Sequence, residues 1–151
     1  MGVYMFRTRV KRSKLVLYKM HHAHVWSCVE QGLRAAGITR LQIWAPKPDA
    51  EPREDDNCLQ MLIETPQGIK LEEVTGEGSE YWASHADVPK WELLMRSFFE
   101  AGEWKEMDQV YNLNPSSNLT GEALEKLMAD IAAAEAQEAE ANAVQAAGAW
   151  Q

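Results

Sequence analysis

No stretch of this 151-residue chain is apolar for the length a bilayer-spanning helix needs, so a transmembrane segment is not expected. The opening residues, Met1 to Lys11, lack the apolar core and small-residue site of a secretory signal, and the reading is of a soluble, cytoplasmic protein. Cysteine is scarce. Cys28 falls on a helical pattern and Cys58 on a strand pattern, which favours two free thiols over a disulfide. Positive charge is also short, with 15 Lys and Arg against 23 Asp and Glu and a formal net charge of -8. A chain of that sign repels phosphate backbones and anionic lipid, so no nucleic-acid or membrane partner is expected. A metal-ligand set is missing as well. His21, His22 and His24 cluster in sequence, but residues two apart on a helix point away from each other, and His24 with Cys28 or His21 with His24 supplies only two ligands. The acidic run Glu54 to Asp56 has neither the spacing nor the glycine of a calcium loop.

What the chain does contain is periodicity. Val3 to Val10 alternates Tyr4, Phe6, Thr8 and Val10 with Met5, Arg7 and Arg9, a strand with one largely apolar face and one that carries arginines. From Ser13 to Gly37 the apolar positions Leu15, Val25, Trp26, Val29, Leu33 and Ala36 recur by three and four, which predicts one amphipathic helix with Ser13 as N-cap and Gly37 as its C′ residue. Thr39 to Ala45 and Cys58 to Thr65 read as an antiparallel strand pair joined by a long, mobile loop containing Pro46, Pro48 and Pro52. Short helices are expected at Ile69 to Val74 and Tyr81 to His85. A longer one follows Pro89, where Trp91, Leu94, Met95, Phe98 and Phe99 form a buried stripe closed by Gly102. Met107 to Leu113 is the last strand candidate.

The resulting order, strand-helix-strand used twice, is the ferredoxin-like βαββαβ arrangement of an α+β fold, expected over residues 1–114. Four antiparallel strands with helices on one face leave the other face bare, and pairing two such faces makes a dimeric α+β barrel, so a homodimer is expected. Residues 115–151 form an acidic, alanine-rich tail. After Thr120 six acids oppose the single Lys126, and Leu124, Leu127, Met128 and Ile131 stand at helical spacing near its start. A helix docked by its first two turns and frayed beyond them is predicted.

Tyr18 and His22 fill a gap in the apolar series of the first helix, one turn apart. A phenol and an imidazole that face inward need hydrogen-bond partners or a cavity, because burying either unpaired costs roughly 1–3 kcal/mol. The pair therefore points to a pocket. A histidine on an apolar stripe is commonly a structural residue, and Trp91 with its neighbours is first of all a core stripe. Arg7 and Arg9 suit a solvated or interfacial edge of the sheet.

In this order of elements, the segment Tyr18-Lys19-Met20-His21-His22-Ala23-His24-Val25-Trp26 resembles the L-rhamnose mutarotase family. So do the helix end Leu33-Arg34-Ala35-Ala36-Gly37, the block Trp91-Glu92-Leu93-Leu94-Met95 and the closing Trp104-Lys105-Glu106-Met107-Asp108-Gln109-Val110-Tyr111-Asn112-Leu113. The resemblance runs from about Phe6 to Leu113. It implies small homodimers of the dimeric α+β barrel type, isomerases that interconvert the anomers of a monosaccharide substrate, L-rhamnose or in some branches L-fucose, without a cofactor. By position it implies His22 as catalytic proton donor, Tyr18 as a sugar contact and Trp91 as the first of an aromatic pair. This chain departs from the family in having Glu92 as the second member of that pair, Leu41 in place of a second-strand aromatic, and Ser27 where a proline usually follows the tryptophan.

Such chemistry suits these residues. Opening a hemiacetal ring needs one proton removed from the anomeric hydroxyl and one delivered to the ring oxygen. An uncatalysed process of minutes to hours has a barrier of roughly 22 kcal/mol, from which each positioned acid or base removes about 3–5. An imidazole can do both tasks near neutrality. A phenol with a pKa of about 10 is the weaker base and is better fitted to orient the sugar. Trp91 offers a face for the C–H side of the ring, and Glu92 or Arg9 is a further candidate to bond a sugar hydroxyl. Two other readings stand beside this one: a dimeric α+β barrel of different function, such as a cofactor-independent oxygenase or a haem-handling protein, and a non-catalytic interaction module that uses the acidic tail.

Overall fold

A computed structural model of the chain describes residues 2–49, 51–66, 68, 70–101, 103–112 and 121–149. The chain divides into two units, Met1–Gln109 and Val110–Gln151. In the first, strands β1 (Gly2–Arg9), β2 (Arg40–Trp44), β3 (Cys58–Thr65) and β4 (Lys105–Met107) form one sheet in the order β2-β3-β1-β4. All neighbours are antiparallel. This is the ferredoxin-like order expected from the alternation of the strands.

Register follows from which side chains must be buried together. Tyr4, Phe6 and Thr8 lie opposite Ile63, Met61 and Leu59, and Leu41 and Ile43 lie opposite Ile63 and Met61. That face packs against the helices: Phe6, Met61 and Ile63 cluster with Ile38 and Val74, and Leu59 joins the helical core. The opposite face carries Val3, Met5, Arg7, Arg9, Trp44 and Met107, of which Val3, Arg7, Trp44 and Met107 are exposed.

Two helices, not one, follow β1. A 3-10 turn over Arg12–Lys14 leads into α1 (Leu15–Ala23), which stops, and α2 (Ser27–Ala35) begins after Trp26 in extended conformation. Ser13 lies inside the 3-10 turn and caps nothing; Lys14 occupies the N-cap position. The break has a local cause. His24, Val25 and Trp26 are all weak helix formers, and the Trp26 carbonyl instead starts the next helix by accepting from Val29 and Glu30. Gly37 ends α2 as predicted, at φ 91°, while Ile38 N–H reaches back to the Leu33 carbonyl.

The connection from β2 to β3 is pinned at its far end. Asn57, fully buried, donates to the Val10 carbonyl and to Glu100, and accepts from Arg9, while Arg12 holds the carbonyls of Arg53 and Glu54. Beyond β3 come α3 (Leu71–Thr75), α4 (Glu80–Ala83) and α5 (Val88–Phe98). Ile69, the expected start of α3, and Gly102, the expected end of α5, lie outside the described residues. Trp91, Met95 and Phe98 form the buried stripe of α5.

The last strand is displaced from its expected place. β4 covers Lys105–Met107 and pairs with Arg7 to Met5, whereas Val110 and Tyr111 are exposed and in no strand. Leu113, the expected end of that strand, and residues 115–120, the expected start of the tail, lie outside the described residues.

In the second unit, α6 spans Glu122–Gly148 without fraying after two turns, and no described residue of it is buried. Within this unit Leu124, Leu127, Met128 and Ile131 are all exposed. Alanine carries the helix, since it loses no side-chain freedom on ordering.

Candidate active site

α1, α2 and α5 stand off the sheet far enough to enclose a cavity of about 670 Å³. Leu41, Ile43, Met61 and Ile63 of the sheet form its apolar floor, and Tyr18, His22, Trp91 and Glu92 lie on its helical wall. Four of the five residues singled out from sequence therefore meet at one hollow. Arg9 does not. It lies on the other face of β1, where its guanidinium bonds the Glu54 carbonyl at 3.1 Å and Asn57 Oδ1 at 3.2 Å.

His22 and Tyr18 are stacked, with ring centroids 4.1 Å apart and planes 25° from parallel. The imidazole is oriented by its own helix: Nδ1 is 3.0 Å from the Tyr18 carbonyl, one turn back. A carbonyl oxygen only accepts, so Nδ1 carries the hydrogen and Nε2 of the neutral ring is bare. Burial holds the His22 pKa below its ordinary value; the bond to the Tyr18 carbonyl opposes this, and neighbouring His21 adds to it. At neutral pH His22 is a proton acceptor. Tyr18 is 3% exposed, and burial, reinforced by the charge of Glu92, pushes its phenol well above the usual range, so it stays protonated.

Trp91 is the hub of the wall. Its ring lies 5.5 Å from His22 and 5.3 Å from Trp26. His21, the neighbour of His22, turns instead toward Phe98 and the edge of Trp91, as an aromatic packing residue. Both cysteines are free, and among the described residues no three metal-ligating side chains converge.

One partner was not legible from sequence. Tyr81 of α4, 1% exposed, donates its hydroxyl to Glu92 Oε1 at 2.7 Å. Burial raises the Glu92 carboxyl above the usual carboxylate range, while the Tyr81 bond and the Arg96 charge pull it back. Tyr81 and Glu92 lie eleven positions apart on separate helices, and no local pattern links them. Phe99 and Trp104, packed edge to face at 5.6 Å, close another side of the cavity.

The model of the L-rhamnose mutarotase family matches residues 3–115. The chain belongs to that family. Among solved structures, it is similar to an L-rhamnose mutarotase from Formosa agariphila at 16% identity and a TM-score of 0.50, over 76% of this chain and 100% of that one. An antibiotic biosynthesis monooxygenase from Bordetella bronchiseptica aligns at 11% identity and a TM-score of 0.45, over 72% of this chain and 96% of that one. No curated protein matches. The mutarotase family match covers all four strands and the helices α1 to α5, hence the whole cavity, and ends before α6.

Proposed function

We propose that the chain is a cofactor-free aldose mutarotase that interconverts the α and β anomers of a 6-deoxy-hexose such as L-rhamnose or L-fucose. The observation that carries this reading is the bare Nε2 of a neutral His22 at a cavity with ample room for a sugar. Nε2 takes the proton of the anomeric hydroxyl as an acid protonates the ring oxygen, the ring opens to the aldehyde, the C1–C2 bond turns, and on closure to the other face the acid recovers its proton while the same nitrogen returns the other to O1. Because mutarotation is its own reverse, one group serves as base and then as donor.

The remaining wall fits the substrate class. Trp91 supplies an aromatic face for the C–H side of the sugar, and Tyr18, protonated at all physiological pH, orients a sugar oxygen through its hydroxyl. The apolar floor of Leu41, Ile43 and Met61 suits a methyl group at C6. We extend the reading to a cytoplasmic homodimer. The sheet face with Val3, Trp44 and Met107 exposed suits coverage by a second copy, and two free thiols suit a reducing compartment.

Saturation-transfer NMR at the anomeric protons of L-rhamnose and L-fucose tests the proposal. The protein should accelerate exchange, and His22→Ala should return it to the uncatalysed rate. Equal exchange with both proteins removes His22 from the mechanism.

A further inference from the structure

Ring opening needs an acid as well as a base, and His22 at rest is only the base. Several carboxylates reach the cavity, yet Glu30, Glu72 and Glu103 are exposed side chains at its rim. Glu92 is different. It is half-buried, next in sequence to the Trp91 that contacts His22, and held by the hydroxyl of buried Tyr81 at 2.7 Å from Oε1. That bond occupies Oε1 and leaves Oε2 without a protein partner among the described residues. The cavity is therefore lined by an imidazole from α1 with a bare ring nitrogen and by a carboxyl from α5 with one oxygen free, each fixed by a hydrogen bond through its other polar atom.

The geometry points to Glu92 as a second catalytic residue, the acid that protonates the ring oxygen while His22 Nε2 deprotonates the anomeric hydroxyl, with Tyr81 as its positioning residue. This rests on the mutarotase reading and goes beyond it. In the forward step the proton of O1 passes to Nε2, the C1–O1 bond becomes a carbonyl, and the C1–O5 bond breaks with its electron pair on O5. O5 then takes the proton of Glu92 Oε2. Closure reverses every transfer: the Glu92 carboxylate takes the O5 proton back, O5 attacks C1, and the His22 imidazolium protonates O1. Nothing is consumed.

Burial and the groups that face the carboxyl act on its pKa in opposite directions, and the net direction is upward. Burial raises it; Tyr81 from α4 and Arg96, one turn along α5, lower it. Tyr18 from α1 and Tyr81 both stay protonated, and Cys28 from α2 lies on the Tyr81 side, while Glu30 and Arg34 of α2 and Glu72 of α3 reach the same cavity.

Glu92→Gln in the full chain keeps an acceptor for Tyr81 and removes the proton. With L-rhamnose and L-fucose as probes, kcat for anomer exchange should fall at least about a hundredfold with KM nearly unchanged. The alkaline limb of the kcat–pH profile should vanish with it. Tyr81→Phe, which keeps the ring packing, is the second variant: its kcat should fall by about tenfold and its alkaline limb should move, because the carboxyl is no longer held. Wild-type kcat and an intact alkaline limb in Glu92→Gln, or a change in KM alone, overturn the inference while leaving the mutarotase reading in place. A wild-type protein that catalyses no exchange overturns both.

Discussion

Gly32 is where the fold and the candidate site can be tested with one methyl group. It sits on the inner side of α2, and a Cβ there would stand 2.7 Å from Ser84 Oγ and 3.0 Å and 3.3 Å from two ring carbons of Tyr81. Alanine is favoured over glycine in a helix by about 1 kcal/mol, so on propensity alone Gly32→Ala should stabilise. Packing opposes it. Ser84 Oγ can turn away only by giving up its 2.6 Å bond to the Tyr81 carbonyl, at about 1 kcal/mol. The Tyr81 ring is buried at 1% exposure and tethered through its hydroxyl to Glu92, so it can yield only by moving α4, at roughly 1–3 kcal/mol. The sum is a net loss of about 1–3 kcal/mol. Urea denaturation of wild type, Gly32→Ala and Gly32→Ala with Ser84→Ala measures it, and the double variant should recover part of the loss. Gly148→Ala is the control, since nothing lies within 4 Å of a Cβ there. Its stability should be unchanged or slightly higher. A Gly32→Ala protein more stable than wild type would refute the close packing of α2 on α4 and, with it, the fixed position of Tyr81.

Two further predictions follow from the same geometry. The pKa of His22 is lowered in the folded protein, so as pH falls below about 6.5 the unfolded chain binds a proton first and stability declines until the lower folded-state value is passed. His22→Gln should lack that decline, so the stability difference between the two proteins should change between pH 7.5 and pH 5.5; a constant difference means that the ring is not desolvated. Arg9→Lys should cost about 1 kcal/mol through the lost bonds to Glu54 and Asn57 and leave anomer exchange unchanged. Impaired exchange in a variant of wild-type stability would place Arg9 in the site after all.

The sheet was legible because alternation in each strand is matched by alternation in its partner: Phe6, Met61 and Ile43 bury together only in one register. The stripe of α5 was legible for the same reason, since Trp91, Met95 and Phe98 recur at helical period. The break between α1 and α2 was not, because Leu15, Val25, Trp26 and Val29 keep a helical spacing across it and Ser27 stands where the family's proline would have marked the first residue of α2. β4 was misplaced because the strand-like Val110 and Tyr111 drew the expectation toward residues that are exposed, whereas the paired segment, Lys105–Met107, is mostly charged and carries no strand pattern. Of the site, His22 and Tyr18 were visible as polar residues on an apolar face. The bond between Tyr81 and Glu92 joins two helices and leaves no trace in local pattern.

The stop at Ala23 has an electrostatic consequence. In a continuous helix His22 would stand mid-length; instead its ring belongs to the last turn of α1, at the partially negative pole made by unpaired carbonyls. Such a pole favours a cation by about 0.3–1 kcal/mol, and by up to about 2 where the group is partly buried. Desolvation thus keeps the imidazole uncharged at rest, and the helix end would ease the positive charge that the proposed mechanism places on it while the sugar is open.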